Sequence, residues 1–246
     1  LLGVGSTEDL NHQNYRQAGA VFLREVKNFK SVSVDFGGHF NDALDQPSAT
    51  QAFLEGALLG AYEFTQLKSK PKKSSLKNIA ILGSGAGMRN AIEKAESIAF
   101  GVNLARDLVN LPGGDLTPVA FARKASQIAK EKTLSVKVLD GPAIKKAKMG
   151  GILGVNRGST QQPRFVQLTY KPQKSSGKHI VLVGKGVTFD AGGLSIKSAV
   201  GMSTMKCDMG GAAAVLGAMS ALSSVAPSTK VTGLMPLTDN MLGGDA

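Results

Sequence analysis

The stretch HIVLVGKGVTFDAGGLSIK, residues 179–197, decides how the chain is predicted to fold. Its first part is almost wholly apolar, which predicts a central strand at residues 179–184 that other elements cover on both faces. Its second part is rich in glycine and carries Lys185, Asp190 and Lys197, which predicts a loop with polar side chains. Open α/β sheets bind ligands at the carboxyl ends of their strands. A functional site is therefore predicted directly after this strand.

Outward from this stretch, predicted strands and helices alternate along the chain. Apolar runs and alternating patterns predict further strands at residues 1–4, 32–36, 78–82, 136–139, 165–170 and 231–237. Apolar residues at helical spacing predict helices at residues 7–30, 47–61, 89–109, 118–132, 143–148 and 210–222. The predicted cap of the first helix begins at Thr7. Thr117, which precedes Pro118, is the predicted cap of the fourth helix. This alternation is typical of an α/β fold with mainly parallel sheets.

The composition excludes several classes of protein and of site. Cys207 is the only cysteine among 246 residues, so no disulfide can form within the chain, and the three histidines are scattered. A zinc site built from His or Cys ligands is therefore not expected, and a bound metal would need oxygen ligands. Residues 209–229 carry no charge, but their alanine, glycine and serine content predicts a buried helix and not a membrane span.

The net charge of +11 leaves two interpretations open, a solvated basic surface or a surface that binds a polyanion. Lysines cluster at two places in the chain, namely Lys68, Lys70, Lys72, Lys73 and Lys77, and Lys145, Lys146 and Lys148. Aromatic residues make up only 5% of the chain and tryptophan is absent, so a platform for stacked single-stranded bases is not indicated.

Two further segments could carry chemistry. The motif MKCDMGG, residues 205–211, places Asp208 at the predicted N-terminus of an alanine-rich helix, where the helix dipole favours an anion. Asp208 could still be only a helix cap, and Lys197 only a surface lysine. The glycine-rich residues 83–87 resemble a dinucleotide-binding turn, but the spacing is GxGxG and no acidic residue ends a second strand at the required distance. A tight strand-to-helix turn without a cofactor is the better interpretation of that segment.

The chain resembles the leucyl (cytosol) aminopeptidase family of dinuclear metallopeptidases. The resemblance rests on VGKGVTFDAGGLSIK at residues 183–197, MKCDMGGAAAVLGAM at 205–219 and GLMPLTDNMLGG at 233–244. Weaker similarity covers 103–118, 154–170 and most of the N-terminal half. It implies two domains. Residues 1–88 would form a small α/β domain that resembles a macrodomain and is incomplete at its start. Residues 89–246 would form a linker helix and an α/β/α metallopeptidase domain that is incomplete at its end.

The resemblance also implies roles for five residues, all of them expected to line the substrate site. Lys185 matches an unusual lysine amine ligand, Asp190 a carboxylate that bridges two metals, and Asp208 a further carboxylate ligand. Lys197 matches the catalytic lysine that polarises the scissile carbonyl, and Met205 lines the pocket for the first side chain of the substrate. Two divalent ions per subunit, zinc or manganese with magnesium or cobalt as alternatives, would drive peptide hydrolysis.

We expect opposite protonation states for the two lysines. Lys185 follows four apolar residues, so we expect it to be shielded from water and to serve as a neutral amine donor. Lys197 would remain charged, because its role is to stabilise the oxyanion of the tetrahedral intermediate.

The implied activity is the release of N-terminal residues, preferably leucine, from peptides. The motif NTDAEGR of the family, with two more carboxylate ligands and an arginine, is expected beyond Ala246, so the chain as given is predicted to be inactive. The alternative is a non-catalytic member of the family or one that binds DNA, which the charge of +11 would suit. The resemblance further implies a homohexamer without a membrane partner, in the cytoplasm or, if a transit peptide has been removed, in a plastid.

Overall fold

The computed structural model describes residues 2–38, 40–41, 44–71, 74–83, 85–225 and 227–245. The chain divides into two compact units, Leu1–Phe100 and Gly101–Ala246. The first unit holds a 3-10 helix (Thr7–Asp9) followed by α1 (His12–Val26), β1 (Ser31–Val34), α2 (Gln46–Gly60) and β2 (Asn78–Ile81). The next helix, α3 (Met88–Asn110), begins in the first unit and ends in the second. The division proposed from sequence, at residues 88/89, lies at the start of α3.

In the first unit, α1 and α2 pack against each other through small residues. A Cβ atom on Gly19 would collide with the Phe53 carbonyl oxygen, so the two backbones approach more closely than a side chain allows. Tyr15 and Leu44 are fully buried beside this contact, and β1 pairs with β2 in parallel.

The start of the first unit differs from the prediction in two places. Residues 2–6 form no strand. The first α-helix does not begin at Thr7 but at His12, because the Asn11 side chain accepts hydrogen bonds from the backbone of Gln13 and Asn14, and the Asn14 side chain in turn accepts from Asn11 N–H. This reciprocal cap satisfies N–H groups that the first turn would otherwise leave free.

The second unit continues with α4 (Pro118–Glu131), β3 (Ser135–Leu139), α5 (Gly141–Lys146), α6 (Gly150–Asn156), β4 (Arg164–Tyr170), β5 (His179–Val183) and β6 (Gly186–Asp190). It ends with α7 (Ala199–Met202), a 3-10 helix (Met205–Cys207), α8 (Gly210–Val225) and β7 (Lys230–Asn240). The strands form one sheet in the order β3-β4-β7-β5, and β6 pairs with the distal part of β7.

The sheet of the second unit is mixed, which corrects the expectation of mainly parallel strands. β4 is antiparallel to β3 and to β7, whereas β5 and β6 run parallel to β7. The central strand is β7, which is buried along most of its length, and not β5 as predicted. β5 lies at one end of the strand order, and its Ile180 and Val183 side chains are 50% and 69% exposed. A continuous apolar run predicts a strand but does not say which neighbours will cover it.

Helices α4 and α8 supply the core that packs on this sheet. The largest fully buried side chains of this core are apolar and include Phe121, Ile128, Leu168, Leu216, Met219 and Met235. Residues 199–225 are long and apolar enough to cross a membrane by length and composition, but half of their most apolar window is buried in the protein. The prediction of a buried helix in this region is therefore confirmed. The predicted cap of α4 is also confirmed, since Thr117 Oγ1 accepts a hydrogen bond from Ala120 N–H at 3.2 Å.

Candidate metal centre

Lys185 is held between the sheet and the start of α8. The preceding residue, Gly184, donates its N–H to the Leu234 carbonyl of β7 at 3.0 Å, and the Lys185 carbonyl accepts from Ala212 N–H of α8 at 2.8 Å. The strand and the helix approach so closely here that a Cβ on Gly184 would collide with the Gly211 carbonyl oxygen. The sequence thus brings the Lys185 side chain to the end of α8 where Asp208 lies.

Lys185 and Asp208 form an ion pair, with 3.1 Å between Lys185 Nζ and Asp208 Oδ2. Helix α8 begins at Gly210, so Asp208 lies one residue before the N-cap position, and the interpretation of Asp208 as a simple helix cap is wrong. Although Nζ is close, Asp208 Oδ2 is buried and accepts no hydrogen bond from any residue that the structure describes. Buried carboxylate oxygens are normally satisfied, and this one has the Lys185 ammonium as its counter-charge, although the contact lacks hydrogen-bond geometry.

The expectation that Lys185 is shielded from water is wrong, because its side chain is 60% exposed. The apolar residues before it belong to β5, which lies at the end of the strand order and does not cover it. A role for Lys185 as an amine ligand therefore depends on its distance from Asp208 and not on burial.

Asp190 and Lys197 form the second ion pair, with 2.7 Å between Lys197 Nζ and Asp190 Oδ2. The chain between them turns through Gly192 and Gly193, whose φ angles of +95° and +64° lie in the left-handed region. Glycine adopts this region without the steric cost that other residues meet. Lys197 N–H closes the turn by donating to the Ala191 carbonyl at 3.0 Å.

The Asp190 carboxylate is also hydrogen-bonded through its other oxygen. Oδ1 accepts from Gly192 N–H at 2.9 Å and from Asn240 Nδ2 at 2.7 Å. Burial acts to raise the pKa of the Asp190 carboxyl, but the hydrogen bonds that it accepts, first of all from Lys197, outweigh burial and hold its pKa below the usual value. Asp190 is therefore an ionised carboxylate, which is the form that binds a cation.

Met205 contacts the same lysine, with 2.9 Å between Lys197 Nζ and Met205 Sδ. The structure thus brings Asp190, Lys197 and Met205 together in one contact set and Lys185 and Asp208 in another. Strand β6 links the two sets, because Lys185 immediately precedes it and Asp190 is its last residue.

The residues present fit a divalent cation, although they form only part of a binding site. Two carboxylates and one amine are donors that bind divalent metals, and each of the two carboxylates already holds a cationic group against one oxygen. Among the residues that the structure describes, no three His, Cys, Asp or Glu side chains form a cluster that could hold a metal. Further ligands are needed to complete such a site.

Sequence reasoning missed two residues at the end of β7. Asn240 contacts Asp190, and the buried Asp239 accepts hydrogen bonds from the hydroxyl groups of Thr188 and Ser159. The strand was predicted to end at Leu237, where the apolar run ends, but it continues to Asn240 because β6 pairs with it. An extension of the strand would have placed both residues at the carboxyl edge of the sheet.

Two family profiles match the chain. The profile described as "Cytosol aminopeptidase family, catalytic domain" matches residues 103–246, and the one described as "Cytosol aminopeptidase family, N-terminal domain" matches residues 1–71. Curated relatives include a "Probable cytosol aminopeptidase" of Trichormus variabilis, which is 40% identical over 251 residues covering 100% of this chain and 50% of the relative. Another, from a Geobacter species, is 36% identical and is covered to 51%. The chain spans about half the length of the curated relatives it matches.

Solved structures resemble the chain over its whole length. The bottromycin maturation enzyme BotP in complex with Mn superposes with a TM-score of 0.89 at 35% identity, covering 100% of this chain and 51% of that one. A mutant of tomato leucine aminopeptidase superposes with a TM-score of 0.86 at 34% identity, covering 99% of this chain and 48% of that one. The two-domain α/β fold implied by the sequence motifs is thereby confirmed.

Proposed function

This chain belongs to the cytosol aminopeptidase family, and we propose that the complete protein is a metal-dependent aminopeptidase that releases N-terminal residues, preferably leucine, from peptides. The observation that carries the proposal is the pair of lysine–carboxylate contacts at the two ends of β6, Lys185–Asp208 at 3.1 Å and Lys197–Asp190 at 2.7 Å. Carboxylate oxygens and a lysine amine are ligands that divalent metals accept, and each carboxylate here already faces a cationic group.

Three of the site residues would be metal ligands, and Lys197 would supply a positive charge. Lys185, Asp190 and Asp208 would hold two divalent ions, zinc or manganese in preference to magnesium or cobalt, together with ligands from the rest of the protein. When bound, such ions polarise the scissile carbonyl and lower the pKa of the attacking water. The solved manganese complex of BotP supports a divalent ion in this family.

Lys197 is the catalytic residue of this proposal. Its ammonium lies 2.7 Å from the Asp190 carboxylate, so it is held beside the carboxylate that would bind the metals. There it would stabilise the negative charge that develops on the carbonyl oxygen during attack. Met205, 2.9 Å from the same ammonium, would present an adaptable apolar surface to the first side chain of the substrate, which suits leucine.

The proposal also covers the cellular location and the assembly of the enzyme. We propose a cytoplasmic location, which the family name supports, and a homohexameric assembly. Residues 1–246 alone are expected to be inactive, because the described part of the chain lacks a third carboxylate near the two pairs. No observation in the site favours the non-catalytic or DNA-binding alternative, since both lysine–carboxylate pairs are in place.

The test is the metal content and the activity of the complete protein and of its Asp190→Ala variant. We expect two ions per subunit and hydrolysis of leucine anilide for the unchanged protein, and loss of both for Asp190→Ala. The matched control is Asp140→Ala, which removes an exposed helix cap and should keep both the metal and the activity. Two ions retained in Asp190→Ala would overturn the bridging role. An unchanged protein without metal and without hydrolysis would overturn the proposed function.

A further inference from the structure

We propose that Asn240 is a positioning residue for Asp190. It holds the carboxylate by Oδ1, so that Oδ2 is the oxygen presented to the metals, including where Asp190 bridges two of them. The inference rests on the proposed function, because it concerns the carboxylate that would bind the metals. It is carried by the hydrogen bond of 2.7 Å from Asn240 Nδ2 to Asp190 Oδ1.

The backbone and the side chain of Asn240 both hold the end of β6. Asp190 and Asn240 are partners in the parallel pairing of β6 with β7. The Asn240 carbonyl accepts a hydrogen bond from Ala191 N–H at 2.8 Å, directly after Asp190. The pairing of β6 with β7 therefore sets the distance between the backbones of Asp190 and Asn240, and it keeps the amide within hydrogen-bond distance of the carboxylate.

The orientation of the Asn240 amide follows from its two neighbours. The Asp190 carboxylate can only accept hydrogen bonds, so the NH₂ group of the amide must face it. The amide oxygen then faces Gly193, where a Cβ atom would lie only 2.6 Å from Asn240 Oδ1. A side chain at residue 193 would push the amide away. The absence of a side chain at Gly193 is therefore part of the same arrangement.

The two oxygens of Asp190 consequently differ in what they can bind. Oδ1 already accepts two hydrogen bonds, from Asn240 and from Gly192, which use its two lone pairs. Among the residues that the structure describes, Lys197 is the one that contacts Oδ2. A cation that binds Asp190 without breaking a hydrogen bond therefore binds through Oδ2. Asn240 prevents the carboxylate from rotating out of this orientation, as outer partners of metal ligands do.

The experiment measures the affinity of the complete protein for Mn²⁺, from the electron paramagnetic resonance signal of the free ion. Asn240→Ala removes the amide, and Asn240→Leu replaces it by an apolar side chain of similar size. Both variants should bind Mn²⁺ about 10- to 100-fold more weakly. Gly193→Ala should also weaken binding, through displacement of the amide and through strain at its left-handed φ of +64°. In the Asn240→Ala background its effect should be smaller but not absent, because only the strain remains.

The matched control is Asn11→Ala, which removes the reciprocal cap of α1 in the first unit and leaves the Asp190 region unchanged. It should lower the urea midpoint and keep the affinity for Mn²⁺. Unchanged affinity in both Asn240 variants, with affinity lost in Asp190→Ala, would overturn the positioning role and leave the proposed function intact. An equal loss in Asn11→Ala would also overturn it, because the effect would then be general destabilisation. An unchanged protein that neither binds Mn²⁺ nor hydrolyses leucine anilide would instead overturn the proposed function.

Discussion

Replacement of Gly184 by alanine should separate the two parts of the chain that bring Lys185 to Asp208. A Cβ atom on Gly184 would lie 2.6 Å from the Gly211 carbonyl carbon and 2.7 Å from Ala212 Cα, both of them backbone atoms of α8. Backbone atoms cannot rotate aside as a flexible side chain can. Strand β5 and helix α8 must therefore move apart as units.

The size of the shift follows from the same distances. To reach an ordinary contact of 3.4 Å, the Gly211 carbonyl carbon must retreat by about 0.8 Å from its 2.6 Å position, and the Gly211 carbonyl oxygen, which lies closer still, must retreat further. Overpacking of this kind costs about 1–3 kcal/mol, and the rigid backbone contact places Gly184→Ala near the upper value. With a slope of about 2 kcal/mol per molar urea, the unfolding midpoint should fall by about 1–1.5 M. Metal–ligand distances tolerate only about 0.2 Å, so the affinity for Mn²⁺ should fall as well.

The control for this prediction is a glycine in open space. Gly154 lies in α6, and a Cβ there would meet no atom within 4 Å. Gly154→Ala should raise stability by about 0.5–1 kcal/mol, because alanine is the better helix former, and it should leave Mn²⁺ binding unchanged. The reasoning would be refuted by a Gly184→Ala protein with the urea midpoint and the Mn²⁺ affinity of the unchanged protein.

Two further predictions concern single side chains. Lys185→Arg should lose metal, because guanidinium stays protonated and cannot be a ligand. Lys197→Ala should keep its metal and lower kcat about a hundredfold or more. Elemental analysis and kinetics test both variants, and the reverse pattern would show that the roles of the two lysines are exchanged. Burial raises the pKa of the Tyr15 hydroxyl above 10.0, so its contribution to stability is fully present below pH 10 and is lost as the pH rises through the raised value. Tyr15→Phe should flatten the alkaline fall of the unfolding free energy in urea titrations from about pH 8 to 11, and an unchanged fall would contradict this cause.

Sequence reasoning located the elements that local signals determine. The cap at Thr117 fixed the start of α4, because its hydroxyl satisfies an N–H of the first turn whatever the rest of the fold does. Strand β4 was predicted within one residue of its observed ends, Arg164 and Tyr170, because its apolar and polar residues alternate. Local pattern and tertiary structure agree at these positions, so the sequence alone was sufficient.

Other features depend on partners that a local pattern does not contain. β5 was predicted at the centre of the sheet, but β7 takes that position, since strand order is decided by pairing between distant segments. Helix α6 was missed because three of its seven residues, including Gly150 and Gly154, are glycines, which disfavour a helix by propensity alone. The burial of Lys185 was predicted from the strand before it, yet exposure depends on what covers that strand.

The ends of β6 and β7 show why a functional site is the hardest part of this fold to predict. The apolar run ends at Leu237 and strand propensity falls at Asp239 and Asn240, so the predicted strand stops before them. The parallel pairing with β6 nevertheless continues to Asn240, and it brings this amide opposite Asp190. Polar residues at strand ends are poor for strand formation and are the residues that a binding site needs. A local rule is therefore broken where the chemistry lies, and a polar pair just beyond a predicted strand end identifies the place where the strand should be extended and the site sought.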